Sequence, residues 1–189
     1  MPMNYRLRRM TAADAAETVR WMVEEYGFAP TEVEEWVEHL HFNWPMSVKA
    51  LDAQGETIGL LNMSDYRIEE ETAQMADEKP QLLHRLNAMR YTAVFSFIVA
   101  EEYRHTRLNY DMVMWLMTDW VGTGVGEGPY DFVFIPVMHR LKTHRYWQRW
   151  GAVEFYRDAM SVYYMLPLSD AAKEMGEMVK GGSDKSFFG

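Results

Sequence analysis

The stretch Tyr91-Thr-Ala-Val-Phe-Ser-Phe-Ile-Val99, Ala100-Glu-Glu-Tyr-Arg104-His-Thr-Arg107, Leu108-Asn-Tyr-Asp-Met-Val-Met-Trp-Leu-Met-Thr-Asp-Trp-Val121 reads as a strand, a polar turn and a helix. β-branched and aromatic residues dominate its first nine positions, whereas Met112, Val113, Leu116, Met117 and Trp120 recur at helical spacing. Where such a strand hands over to a helix, the first helical turn leaves backbone N–H groups unpaired and carries the positive end of the macrodipole. An anion such as a phosphate is stabilised there. Arg104 and Arg107 add side-chain charge to the same turn.

Upstream, Tyr5 to Arg9 alternates like a short strand, and Thr11-Ala-Ala-Asp14 has the pattern of a capping box. Ala15, Val19, Met22, Val23 and Tyr26 then predict a helix stopped by Gly27, and Pro30, Thr31 and Glu34 open a second one with Val33, Trp36, Val37 and Leu40 on one face. Ser47 to Asp52 and Glu56 to Asp65 read as strands joined by the hairpin signal Ala53-Gln-Gly55. Residues 67–89 are acidic, broken by Pro80, and then apolar at Leu82, Leu83, Leu86 and Met89, which predicts a helical insertion. Such a connection can serve as a lid over a site, although a helix packed on the surface is its commoner use.

Downstream, Asp131 to Ile135 is a short apolar strand, and its closing Pro136 precedes a basic, aromatic helix expected through Arg149 and ended by Gly151. Val153 to Tyr156 and Ser161 to Leu166 form a hairpin through Arg157-Asp158. Ser169 caps a last helix, and Gly181 to Gly189 is expected to be mobile. This order of elements is that of a mixed α/β architecture.

With 189 residues and 48% hydrophobic content the chain can bury a single-domain core. A net charge of -9 argues against a nucleic-acid surface, which needs clustered Lys and Arg, and suits a cationic amine better. The absence of cysteine removes disulfides, thiolate catalysis and Cys-ligated zinc together. No apolar run is long enough for a bilayer and the N-terminus lacks a signal core, so the expectation is a soluble protein without a membrane partner, cytoplasmic by default. Gly122-Thr-Gly124-Val-Gly126-Glu-Gly128 follows a helix and precedes a strand, the reverse of a dinucleotide or P-loop motif, and reads as a flexible loop. His39 and His41 lack ligand spacing for zinc, and no G-x-S-x-G elbow supports a hydrolase. No metal is expected.

The order "FIVAEEYRHTRLNYDMVMWL", with "DAQGETIGLL" upstream and "YWQRWGAVEFY" downstream, resembles the GNAT superfamily of acetyl-CoA-dependent N-acetyltransferases over roughly Tyr5 to Leu166. The family's Q/R-x-x-G-x-G/A fingerprint falls on Arg104 to Asn109, with Arg107 and Asn109 where it has small residues. The resemblance implies an acyl-CoA N-acyltransferase-like fold, a central mixed but mostly antiparallel sheet flanked by helices. It assigns residues 1–168 to that domain, with the insertion at about 67–89, and 169–189 to a C-terminal helix and tail.

The cofactor it implies is acetyl-CoA or another acyl-CoA. Phe97, Ile98 and Val99 would meet the pantetheine arm through main chain, and Arg104, His105, Thr106, Arg107, Leu108 and Asn109 would hold the pyrophosphate. Core packing accounts for most of the chain's Met and Trp, and Trp115, Trp120, Trp147 and Trp150 sit near the elements that, by this resemblance, flank the pantetheine cleft. Amine acetylation needs a deprotonated nucleophile, donors for the developing oxyanion and a proton source for the leaving thiolate.

The family's proton-donating tyrosine, four residues ahead of the helix-ending glycine, corresponds here to Trp147, which shifts the role to Tyr146 or Tyr156. Glu101, Asp65 and His139 are the candidate bases. The acceptor would be a small-molecule or peptidyl amine, and a homodimer is left open. The alternative is a GNAT-fold binding or structural module without transfer chemistry, which the residues at 107, 109 and 147 would suit.

Overall fold

The computed structural model describes residues 4–39, 42–121 and 129–181. Its strands are β1 (Arg6–Arg9), β2 (Val48–Leu51), β3 (Thr57–Ser64), β4 (Tyr91–Val99), β5 (Phe132–Met138), β6 (Val153–Arg157) and β7 (Ser161–Pro167). They make one mostly antiparallel sheet in the order β1-β2-β3-β4-β5-β7-β6. The helices are α1 (Ala15–Tyr26), α2 (Pro30–His39), α3 (Ile68–Glu71), α4 (Gln74–Glu78), α5 (Pro80–Asn87), α6 (Leu108–Val121), α7 (His144–Arg149) and α8 (Asp170–Lys180). The chain divides into two compact units, Met1–Asp65 with Val94–Asp119 and Tyr66–Ala93 with Trp120–Gly189, and β4 contributes to both.

In the first unit β1 pairs antiparallel with β2, Arg6 opposite Leu51, and β2 with β3, Val48 opposite Leu61. The Thr11 backbone N–H donates to Asp14 Oδ2 at 2.9 Å, so the capping box closes a 3-10 turn over Ala12–Asp14 and α1 begins directly after it. Gly27 ends α1 at φ 72, a left-handed conformation that costs glycine little because it has no Cβ. Met22, Val33 and Ile98 form a core cluster, with Val19, Trp36 and Phe95 packed around it. Helix α6 buries Leu108, Met112, Val113 and Leu116, and leaves Met117 half-buried. The side chain of Trp120 is outside the described residues.

In the second unit Tyr91, Thr92 and Ala93 of β4 pair in parallel with Phe132, Val133 and Phe134 of β5. Strand β5 pairs antiparallel with β7 from Phe132 opposite Pro167 to Met138 opposite Ser161, and β7 pairs with β6. The insertion is helical, but in three short pieces that bury Ile68, Met75, Leu82, Leu83 and Leu86. Phe134 centres an aromatic layer, with ring centroids 5.9 Å from Tyr66, 6.4 Å from Tyr91 and 6.0 Å from Tyr163.

One expectation is corrected here. Pro136 does not close its strand: it pairs opposite Tyr163, β5 continues through it to Met138, and the following helix starts only at His144. Proline's fixed φ lies within the extended range, and the residue merely withholds one N–H from the ladder. The glycine-rich loop at 122–128, His41 and the tail at 182–189 lie outside the described residues.

Candidate functional site

Strand β4 ends at Val99, and the Ala100 N–H donates to Ile58 O at 3.0 Å, tying the start of the turn to β3. A 3-10 turn over Glu101–Tyr103 follows. Thr106 then acts as the local cap: its hydroxyl donates to Tyr103 O at 2.7 Å and accepts from the Leu108 N–H at 3.2 Å. Helix α6 proper closes with the Asp111 N–H on Arg107 O at 3.0 Å. The backbone N–H groups of His105 and Arg107 meet no acceptor among the described residues.

The two arginines of the turn are held by carboxylates of the same unit. Arg104 donates through Nε to Val99 O at 2.9 Å and through Nη2 to Glu25 Oε2 of α1 at 2.6 Å. Arg107 pairs with Asp111 at 2.9 Å, one turn on, with 76% of its side chain exposed. Asp111 also accepts from the Tyr5 hydroxyl, and burial together with that bond pushes Tyr5 up to about 12. An anion arriving at this turn therefore competes with Glu25 and Asp111, and exposed guanidinium groups can turn toward it at small cost.

Nine residues expected to hold cofactor, Phe97, Ile98, Val99 and Arg104 through Asn109, all fall in this unit and border the turn. Ile98, Val99 and Leu108 are buried, so their side chains serve the core and only main chain could face a ligand. His105 is exposed, and Phe97, Thr106 and Asn109 are half-buried.

The three catalytic candidates are divided between the units. Glu101 is exposed at the start of the 3-10 turn in the first, and Tyr146 and Tyr156 belong to the second. Tyr146 is half-buried on α7 beside Trp147 and Trp150, with ring centroids 5.2 and 6.3 Å away. Burial pushes its hydroxyl up to about 12, against the Trp150 N–H that donates to it. Tyr156 is 4% exposed and donates to Glu78 Oε2 at 2.9 Å; burial and that carboxylate push it up to about 12 as well.

Trp147 is 2% exposed and packs as core, while Trp115 lies under the Arg9 guanidinium at 4.7 Å. Of the other candidate bases, Asp65 accepts from Asn43 Nδ2 at 3.0 Å and His139 Nε2 donates to Asp158 O at 2.9 Å. The Glu25–Arg104 pair went unseen in the sequence because 79 positions separate its members and no local pattern joins them.

No protein-family model matches the chain, and no curated protein matches it in sequence. Solved structures do match in shape. A GNAT-family N-acetyltransferase of Escherichia coli, YhbS, in complex with CoA, superposes with a TM-score of 0.61 at 16% identity, over 91% of this chain and 86% of its own. Arabidopsis thaliana NAA60, in complex with a bisubstrate analogue, gives 0.56 at 13% identity, over 86% and 97%. The diaminobutyrate acetyltransferase EctA of Paenibacillus lautus, with its substrate and coenzyme A, gives 0.53 at 14% identity, over 89% and 98%. At these identities the likeness is one of fold, and the fold is that of the GNAT N-acetyltransferases.

Proposed function

We propose that this chain is an acyl-CoA-dependent N-acyltransferase that moves an acetyl group onto an amine. The observation that carries this is the turn from β4 into α6, which holds two backbone N–H groups without an acceptor among the described residues, a helix N-terminus and two exposed arginine side chains on a GNAT fold. These groups fit a pyrophosphate. Arg104 and Arg107 would hold it, each exchanging a carboxylate for a phosphate oxygen, with the His105 and Arg107 N–H groups as further donors. When bound, the coenzyme would supply the activated thioester.

The chain's own residues would bind, orient and move protons. Of the two tyrosines Tyr146 is the better candidate for the proton donor, because Tyr156 has committed its proton to Glu78. Glu101 is exposed next to the turn and suits removal of a proton from the incoming ammonium through water.

Calorimetric titration with acetyl-CoA tests the proposal. Binding is expected, and Arg104→Ala combined with Arg107→Ala should weaken it by roughly ten-fold or more. Absence of heat and of any thermal shift at millimolar acetyl-CoA would defeat it. A second assignment, a binding module without transfer, is favoured by Arg107 and Asn109 and by the carboxylates already holding both arginines. Binding of acetyl-CoA without turnover of any amine in a panel of amino acids, diamines and peptides would decide for the module.

A further inference from the structure

The helical insertion carries an open groove of about 480 Å³ that lies wholly in the second unit. Its wall on α5 is the stripe Pro80, Leu83, His84, Asn87 and Ala88, at the spacing that puts side chains on one face of a helix. Ala76 of α4 and Arg67, just ahead of α3, complete the lining. Leu83 is buried at its floor, while Ala76, Pro80, His84 and Arg67 are exposed.

The two ends of the groove differ in chemistry. Arg67 stands at the Asn87 end, because its Nε meets Glu69 Oε1 at 3.4 Å and the other oxygen of that carboxylate accepts from Asn87 Nδ2 at 3.0 Å. Asn87 is fixed in turn: its Oδ1 accepts from the Tyr91 hydroxyl at 2.9 Å, which itself accepts the Ile68 N–H at 3.1 Å. The Arg67 guanidinium also lies over the Tyr91 ring, 5.9 Å from its centroid. Its two Nη atoms have no acceptor among the described residues, and neither does the exposed His84 have a hydrogen bond or ion pair there. The Ala76–Pro80 end, with Leu83, offers apolar side chains.

Charge sets this groove apart from the rest of the chain. The net charge is -9, yet no Asp or Glu occurs from Lys79 through Arg90, and no carboxylate lines the groove. Glu69, the acid next to it, is already held by Asn87 and by Arg67 Nε. The free edge of the guanidinium presents two parallel donors, the arrangement a carboxylate takes, and the His84 ring adds a third. The rise of α5 from Pro80 to Asn87 is roughly 10 Å at 1.5 Å per residue, which a saturated chain of about eight carbons matches.

We propose that this groove binds a medium-chain monocarboxylate, with its carboxylate on Arg67 and His84 and its alkyl chain along Leu83, Pro80 and Ala76. An inorganic phosphate would satisfy the basic end and leave the apolar end to water, and an alkylamine would meet Arg67 with like charge. The site stands apart from the acyl-transfer proposal, since none of its residues belongs to the turn from β4 into α6.

The experiment is an NMR titration of the ¹⁵N-labelled full chain, without coenzyme, with octanoate, butyrate, inorganic phosphate and octylamine at equal ionic strength. Octanoate should shift the amide signals of residues 67–88. It should bind roughly ten-fold more tightly than butyrate, because each methylene laid on an open apolar wall adds about two-fold, half the free energy of full burial. Arg67→Gln should weaken octanoate by about five-fold or more and His84→Gln by about two-fold, with Tm held because both side chains are exposed. Ala76→Glu, which puts a charge at the apolar end, should remove the advantage of octanoate over butyrate. Equal affinity for octanoate and butyrate, phosphate or octylamine binding as tightly as octanoate, shifts centred outside residues 67–88, or an Arg67→Gln protein with unaltered octanoate affinity would each overturn the site. Because acetyl-CoA is titrated separately, loss of the groove site and failure of the transferase proposal give different results.

Discussion

Lys49 lies in the middle of β2, 7% exposed, where an ammonium group survives only with partners. It donates to Asp14 Oδ1 at 3.2 Å and also pairs with Glu17, while Arg8 holds Asp14 from the other side at 2.7 Å. Burial by itself would raise Asp14, but the bonds from Arg8, the Thr11 N–H and Lys49 outweigh it and bring the carboxyl down to about 2 from 3.8. A folded pKa below the unfolded one means that the unfolded chain binds more protons in that interval. The contribution is complete above the unfolded value and is lost as pH falls toward about 2. At about 1.4 kcal/mol per pKa unit it amounts to about 2 kcal/mol. Urea denaturation between about pH 6 and about pH 2.5 should therefore show stability falling below about pH 4, and Asp14→Asn should lower the plateau and flatten that fall. An unchanged profile in the variant would remove Asp14 from this role. The capping box at Thr11 and Asp14 was legible in the sequence because its partners are three residues apart. The lysine that gives Asp14 its second use is 35 residues away, and nothing in either neighbourhood announces it.

Elements were legible where several local signals agreed. The span Tyr91–Val99, the polar turn and the helix Leu108–Val121 stand where strand composition, turn residues and helical spacing put them. Pro136 misled because one residue carries two meanings, helix start and tolerated strand position, and only its pairing with Tyr163 selects between them. The way elements approach each other was not legible either. Gly59 of β3 runs so near α6 that a Cβ there would sit 3.0 Å from Met112 Sδ and 3.4 Å from Val99 Cγ2. Alanine would reduce the freedom of the unfolded chain, a gain of roughly 0.4–1 kcal/mol, but overpacking costs about 1–3 kcal/mol, so the overpacking wins. Gly59→Ala should lower stability by about 1 kcal/mol, and adding Met112→Ala should show a favourable coupling in a double-mutant cycle read by denaturant titration. Strict additivity of the two changes would mean that the close approach is not what glycine serves.

At the scale of the whole molecule the net charge of -9 sets a field that acts differently on the two partners proposed for the chain. A cationic amine is drawn in from a distance and a polyanionic coenzyme is repelled, so Arg104 and Arg107 must act at short range against the global potential. Added salt screens the long-range part first, since the Debye length shrinks from roughly 30 Å at 0.01 M to about 8 Å at 0.15 M. Across that interval kcat/KM for the amine should fall several-fold. The value for acetyl-CoA should hold or rise, because screening weakens the global repulsion and the local attraction together. Steady-state kinetics with each substrate varied in turn would check this, with sodium chloride and potassium acetate compared to set aside specific ion effects. The same slope for both substrates would mean that the acidic surface does not steer the acceptor.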